Sequence, residues 1–387
     1  MLHPARLVFI DETASSTNVV RTDGGPVAPN LPEHVRSGTE LSSRVDQKVD
    51  FMLCAAIVGL GWWGKSLVSS VQGKSDQIKF TIGNTRSPQK AAVFCSENAI
   101  KLSDDYGAVL GDPEVDVVVL ATPHSQHRDQ IVQAAAAGKH VFVEKPFTLT
   151  SRDAGEALIA AAKANIVLGV GFNRRFHPSM VELRHRVRAG RLGTIESCVA
   201  EQTAAGGVNI QPGAWRADPK ETPAGAMTGL GIHIVDAMID LFGRAREVHC
   251  VVTRRAAQHV DDTTAVLLKF KNGVSGMLFC SLATVPNYRF AVYGSKGLAE
   301  ILKPTLEEFR FAPMPDSKAG HLAVVQPELV HNPGFDTLYA ELTTFAECVR
   351  DRKPYPVPAD DILHGVQVFE AIIESARIGR PVAVERD

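Results

Sequence analysis

At 387 residues the chain is long enough for two domains, each with its own hydrophobic core, which excludes a small disulfide-stapled scaffold. Lys and Arg total 41 against 43 Asp and Glu, a net charge of -2 beside 45% hydrophobic residues, so no basic surplus points to nucleic acid. No apolar run nears the roughly 18 residues of a membrane helix, and the opening MLHPARLVFIDE lacks the apolar stretch of a signal peptide. Six cysteines without a CxxC pair argue against a zinc site or disulfide framework and for a reducing cytoplasm.

Residues 1–51 carry the loop signals Ser15-Ser16-Thr17-Asn18, Gly24-Gly25-Pro26 and Pro29-Asn30-Leu31-Pro32. No helical or strand period survives between them, so a poorly ordered appendage is expected. From Met52 the pattern sharpens. MLCAAIVGLG reads as a buried strand running into glycines, and Trp63, Leu67, Val68 and Val71 then fall at helical spacing. IKFTIGN is a second strand, 88–98 a helix, VDVVVLATP a strand, 126–137 a helix, HVFVEKP a strand, 153–164 a helix capped by Ser151 and Asp153, and NIVLGVGFN a last short strand. This alternation predicts a doubly wound α/β Rossmann domain with a parallel sheet over 52–175. Beyond it, helices at 178–190 and 230–242 precede AREVHCVVTRR, TTAVLLKFKNG, VSGMLFCSLAT and RFAVYGSKG, which read as antiparallel strands with a hairpin at Asn272-Gly273. Residues 176–387 are thus expected to form an α+β domain with a large open antiparallel sheet. Two helices at 335–351 and 359–378 follow, split by Lys353-Pro354-Tyr355-Pro356-Val357-Pro358, and can pack back on the first domain.

Gly59-Leu60-Gly61-Trp62-Trp63-Gly64 is a GxGxxG turn between a predicted strand and a predicted helix. In that context the glycines at 59, 61 and 64 permit the tight turn, the approach of backbone to a pyrophosphate and close helix packing, with phosphate on the helix N-terminus. At the end of the second strand, Gly83-Asn84-Thr85-Arg86-Ser87 has no carboxylate for ribose hydroxyls. Thr85 and Arg86 can hold a 2′-phosphate, which favours NADP over NAD; a solvated loop arginine is the alternative. Glu144-Lys145-Pro146 ends a parallel strand, the edge where such sheets bind ligands, and Pro146 holds Lys145 extended there as a candidate acid or base.

VGLGWWG, ATPHSQH (121–127), GKHVFVEKP (138–146), GFNRRFHP (171–178) and GLGIHIVD (229–236) occur in this order, and with them residues 52–380 resemble the Gfo/Idh/MocA oxidoreductases. The family is named for glucose–fructose oxidoreductase, inositol dehydrogenase and a rhizopine-catabolism protein. The resemblance implies hydride transfer between NAD(P) and a hydroxyl or carbonyl carbon of a sugar, polyol or related ring, and a homodimer or homotetramer packed through the open sheet. Carried over by motif, Lys145 is the catalytic lysine and His233 the histidine that contacts the reacting hydroxyl. Thr122, Pro123 and His127 line the nicotinamide loop, Glu144 and Asn173 make contacts near it, and Arg174 and Arg175 reach the substrate, two cations that suit an anionic substituent. Trp215 is either a wall for a sugar ring or a buried anchor.

Many members carry an Asp four residues before the histidine, where this chain has Gly229. That departure leaves a second reading open, a dinucleotide-binding sensor without catalysis, and His233 can instead be a helix histidine satisfied beside Asp236 and Asp240. Separately, residues 5–22 resemble the strand and turn around a catalytic Asp in IS630-type transposases. The other carboxylates of a two-metal nuclease are missing, so this stretch reads as a fused remnant or as the product of a misplaced start codon, with Met52 as the natural start.

Overall fold

The computed structural model describes residues 52–315 and 323–384. The appendage expected over 1–51, with its transposase-like stretch, lies outside the described residues. The first layered unit is built from β1 (Leu53–Val58), α1 (Trp62–Val71), β2 (Ile78–Asn84), α2 (Pro88–Glu97), β3 (Lys101–Ser103), α3 (Tyr106–Gly111), β4 (Val117–Leu120), α4 (His127–Ala136), β5 (His140–Val143), α5 (Ser151–Lys163) and β6 (Leu168–Val170). Its six strands are all parallel, in the order β3-β2-β1-β4-β5-β6. The order reverses at β1, whose neighbours β2 and β4 lead away in opposite directions, and this opens a crevice at the C-terminal strand ends. Every residue of β4 is buried, as a strand covered on both faces requires. At α5 the cap is Thr150, not Ser151: its hydroxyl accepts from the Asp153 N–H, and the helix starts two residues earlier than its apolar spacing suggests.

The second unit holds α6 (Pro178–Arg188), β7 (Ile195–Thr203), α7 (Ile232–Phe242), β8 (Ala245–Thr253), β9 (Thr263–Phe270), β10 (Ser275–Ser281), β11 (Asn287–Gly294), β12 (Gly297–Leu302), β13 (Glu308–Pro313), β14 (Glu328–His331), α8 (Thr337–Asp351), α9 (Ala359–Ile378) and β15 (Val382–Ala383). Its nine strands run β14-β13-β12-β11-β7-β10-β9-β8-β15. The sheet is not purely antiparallel, because β7 and β10 pair parallel at its centre. After β7 the chain crosses over through residues 204–244, meanders back through β8 and β9, and so brings β10 beside β7 in the same direction. The Asn272-Gly273 hairpin joins β9 to β10 as expected, with Gly273 at φ 93.

Alternation gives this sheet one dry face and one open face. Val266, Leu268, Phe270, Leu278 and Cys280 are buried, with Phe242 of α7 packed edge-on to Phe270 at 5.5 Å. The neighbouring Val251, Leu267, Met277 and Phe279 point the other way and are exposed, a contiguous apolar stripe across β8, β9 and β10. The last two helices return to the first unit: Phe345 of α8 meets Phe142 of β5 at 5.5 Å, and a Cβ on Gly169 of β6 would lie 2.7 Å from the Phe345 ring.

A buried ion-pair network fixes α7. Arg175, in the turn Asn173–Phe176 just after β6, is 5% exposed and grips Asp236 of α7 with two hydrogen bonds of 2.8 and 2.7 Å. Its third nitrogen lies 3.5 Å from Asp240, which also takes Arg184 of α6 at 2.6 Å. The expectation that Arg175 reaches substrate is therefore corrected: its charge is spent inside the protein on carboxylates one and two turns beyond His233. Removing one partner leaves the other charge buried and unpaired. Asp236→Ala is expected to lower unfolding free energy by about 3–5 kcal/mol in urea titration, far more than any exposed pair of the same type.

Candidate active site

The glycine turn is shaped for a phosphate. At Gly64 a Cβ would sit 1.9 Å from the Gly59 carbonyl oxygen, so only glycine lets α1 pack against the end of β1. Gly59 itself has φ 98, and a Cβ there would strike the Ala121 carbonyl oxygen at 2.4 Å, where the ends of β1 and β4 meet. At Gly61 the reverse holds: a Cβ there would meet nothing within 4 Å, so the backbone faces open space. No side chain caps α1 and no acidic residue occupies its first turn, which leaves its N–H groups available to an anion. Trp62 is 72% exposed at the start of this helix, while the Trp63 ring, 5.2 Å away, turns inward. The tip of β2 follows the same logic. Arg86 is exposed, Thr85 accepts a hydrogen bond from the Ser87 N–H, and the 84–87 turn presents no carboxylate.

Across the crevice, Lys145 and His233 arrive from different units. Lys145 follows β5 in a turn whose Lys145–Pro146 peptide is cis, and its ammonium donates to the Gly229 carbonyl at 3.0 Å. Residues Met227–Gly231 form a π-helical turn just before α7, so the glycine that replaces a carboxylate still offers Lys145 its backbone oxygen. A side-chain carbon on Gly229 would meet nothing nearer than Leu282 at 3.9 Å. His233 opens α7, 7% exposed, with Nδ1 unpartnered and its ring edge toward Phe172 at 6.3 Å. Asp236 and Asp240 engage arginines, so they do not satisfy this histidine.

Burial sets the protonation of the pair. It brings the Lys145 amine down to about 8, with Arg174 and Arg216 pushing the same way and Glu144 opposing them. His233 is held well below the ordinary imidazole range by burial, then by Lys145 and Arg174, and is neutral at physiological pH. Glu144, 5% exposed behind the lysine, is pushed up to about 7 by burial and partly restrained by Lys145 and Trp63. A base that is partly neutral near pH 8 beside a neutral imidazole can exchange the proton of a hydroxyl placed between them.

The loop after β4 forms the floor. Thr122 donates its hydroxyl to Gln130 at 2.6 Å, and Pro123 starts the turn His124–Gln126. His127, expected at the nicotinamide, is fully buried, which corrects that assignment. Its Nε2 lies 3.1 Å from the Thr122 carbonyl oxygen and its Nδ1 3.1 Å from those of Pro146 and Phe147, so it ties this loop to the lysine turn from beneath. The crossover 204–231 closes over the loop: Glu221 accepts from the Ser125 N–H at 3.1 Å and from its hydroxyl, and its carbonyl meets His124 Nδ1 at 2.7 Å. Trp215 is half-buried, edge-on to His124 at 5.1 Å, with Arg216 stacked on it at 4.2 Å. Arg174 lies over the Tyr288 ring at 4.9 Å, and Asn173 donates to Thr337 at 2.7 Å.

Sequence reading missed His124, Arg216, Glu221 and Glu341, the last a fully buried residue of α8 whose charge acts on Lys145. His124 lies inside a motif already singled out, and Glu341 interrupts the apolar face of α8, both readable signals. Arg216 and Glu221 reach the site only through the crossover, and spacing carries no trace of them. The glycines give a direct test. Gly61→Ala should leave the melting temperature unchanged and weaken NAD(H) binding at least about tenfold by fluorescence titration, whereas Gly64→Ala should fail to fold stably.

Two family models match the chain: "Oxidoreductase family, NAD-binding Rossmann fold" over residues 53–172 and "GFO/IDH/MocA C-terminal domain" over 180–300. A trans-1,2-dihydrobenzene-1,2-diol dehydrogenase of Mus musculus is 32% identical over 243 residues, 62% of this chain and 70% of that one. The scyllo-inositol 2-dehydrogenase (NAD(+)) of Bacillus subtilis is 28% identical over 349 residues, 85% of this chain and 96% of that one. Among solved structures, the aldose-aldose oxidoreductase from Caulobacter crescentus, complexed with glycerol, superposes with a TM-score of 0.75 at 26% identity, covering 86% of this chain and 99% of that one. Matched in both of its layered units and by an enzyme of the same kind over most of that enzyme's length, the chain belongs to the GFO/IDH/MocA family of NAD-binding oxidoreductases.

Proposed function

We propose that this oxidoreductase is a dehydrogenase that moves a hydride between a nicotinamide cofactor and a CH–OH carbon of a sugar, polyol or related ring, with Lys145 and His233 as its proton-handling residues. The observation that carries this reading is the meeting of a depressed lysine amine and a neutral, unpartnered histidine at the mouth of β5, opposite a glycine turn open to phosphate. The bound nicotinamide supplies the hydride acceptor or donor. Gly59, Gly61, Trp62, Trp63 and Gly64 would hold its diphosphate end, with Thr122 and Pro123 lining the ring end. Lys145 takes the hydroxyl proton in the oxidative direction, and His233 orients the oxygen by donating from its neutral ring. Asn173, Arg174 and Trp215 border the substrate side, joined by Arg216 from the crossover. The relatives named as inositol and cyclic-diol dehydrogenases support a ring alcohol as substrate.

NADP is the favoured cofactor, since exposed Arg86 with Thr85 suits a 2′-phosphate that a carboxylate at the same place would repel. The apolar stripe of Val251, Leu267, Met277 and Phe279 supports a homodimer or homotetramer packed through the open sheet. All six cysteines carry free thiols, and no helix among the described residues is long and apolar enough to cross a membrane; a cytoplasmic place suits both.

Assayed with both cofactors across sugars, inositols and cyclic diols, Lys145→Ala and His233→Ala should each lose about 10²–10⁴-fold in turnover while cofactor affinity by calorimetry holds. Full turnover by either variant overturns that residue's role. Arg86→Ala should cost NADP binding about tenfold or more and leave NAD binding unchanged; equal loss of both removes the argument for NADP.

A further inference from the structure

Behind Lys145 lies a group of polar atoms that the reaction described above does not use. Glu341 of α8 is fully buried, and neither of its carboxyl oxygens has a hydrogen-bond partner. Glu144 Oε1 and the Tyr355 hydroxyl share that condition. Packing brings these groups to one place. Glu144 is pressed against Gly171, where a Cβ would lie 2.7 Å from Oε1. Phe345, one turn after Glu341, sits on Phe142 of the same strand that leads into Glu144. Tyr355 packs edge-on to both rings, at 6.0 Å from Phe345 and 6.2 Å from Phe142. An unmade hydrogen bond on a buried polar atom costs about 1–3 kcal/mol, so stability alone does not account for two carboxyls here.

We propose that Glu341 is a positioning residue that forms, with Glu144, a two-carboxyl proton store behind the Lys145 amine and so sets the protonation at which Lys145 works. The inference rests on the reading of Lys145 as the proton-handling residue. In the oxidative direction the substrate O–H bond breaks and its proton goes to the neutral amine, while the hydride of the same carbon's C–H bond would be taken up by a bound nicotinamide. The resulting ammonium passes one proton to the ionised carboxyl of the store, restoring the amine. After product departs, the proton returns through Lys145 to solvent, and reduction runs the same steps backwards.

Two carboxyls in one low-dielectric pocket do not both ionise readily, so they hold a proton between them at neutral pH. Burial, then Glu144 and Asp336, hold Glu341 well above the usual carboxylate range, while Lys145 opposes them. Lys145 in turn faces Glu144, Arg174, Arg216 and Glu341, beside the neutral His233 and His124. Tyr355 feels Glu341 and Glu144 and stays protonated. With Glu144 at about 7 and Lys145 at about 8, the amine and the Glu144 carboxyl compete for the same proton over one narrow range. As the pH rises through the range where Lys145 titrates, the pair gives up its shared proton too; the second carboxylate charge this creates favours the ammonium form, so removing Glu341 lets Lys145 lose its proton at lower pH.

The test is the pH dependence of Lys145 acetylation by acetic anhydride, read by mass spectrometry on the full chain. Glu341→Gln should move the midpoint to lower pH by about half a unit or more, so that Lys145 is labelled about threefold faster below it. Glu341→Asp should stay near the parent, and Glu347→Gln, on the exposed side of the same helix, should match it. An unchanged midpoint in folded Glu341→Gln overturns the proposal. If that variant does not fold, the infrared spectrum of the parent decides: a protonated carboxylic acid band at neutral pH that Glu341→Asp displaces supports the store, and its absence overturns it. Labelling needs no substrate, so an unmoved midpoint leaves the reading of Lys145 as the proton-handling residue intact, whereas full turnover by Lys145→Ala overturns that role and with it the purpose of the store.

Discussion

The guanidinium of Arg175, buried between Asp236 and Asp240, is the interaction on which the geometry of the cleft depends. It leaves the turn that ends β6 and reaches into α7, tying the parallel sheet to the helix that carries His233. Arg184 of α6 shares Asp240, so three segments meet through two carboxylates. Such a network is costly to desolvate and costlier to break, and it allows few alternative registers for α7. His233 therefore enters the cleft at a fixed height relative to β5, where Lys145 waits.

Within that frame the chemistry of the cleft follows from burial. Desolvation works against every charge, so the lysine gives up its proton more easily, the histidine stays neutral and Glu144 keeps its proton longer. Neighbouring Arg174 and Arg216 add to the effect on the amine, and the two carboxyls behind it pull the other way. The absence of an acidic side chain at Gly229 is met by the π-helical turn, which aims a backbone carbonyl at Lys145. A carbonyl accepts a hydrogen bond but takes no proton, so in the proposed mechanism a proton taken up by Lys145 must move on, and Glu144 with Glu341 is the proposed store.

Much of this was legible from the residues in order. The strand and helix periods of 52–170 give most of the parallel unit's elements, because β1 and β4 are apolar throughout, β2 and β5 largely so, and the longer helices keep an apolar face. β3 escaped notice since three residues are too few to show a period. In the second unit the four strands seen were correct, while the central parallel pairing was not, because direction is decided by where the 204–244 crossover lands. Of the residues singled out by motif, the glycines join β1 to α1, Lys145 follows β5, and His233 lies at the start of α7. Arg175 and His127 lie in the same motifs yet face inward, toward carboxylates and backbone carbonyls.

By itself, then, the order of residues determined which segments become strands and helices, where backbone must pass without a side chain at Gly59 and Gly64, and which motif ends at the mouth of β5. Those properties are local: steric room at a turn and periodic apolarity act over a few neighbouring residues. Only the tertiary structure decided which charges are consumed in the interior and which remain in the cleft. Arg174 and Arg175 are adjacent in sequence, but Arg175 meets Asp236 more than sixty residues away and Arg174 lies over Tyr288 more than a hundred away. Burial and long-range pairing set the proton affinities of Lys145, His233 and Glu144, and both depend on which surfaces close on each other, a fact that no local window of the chain contains.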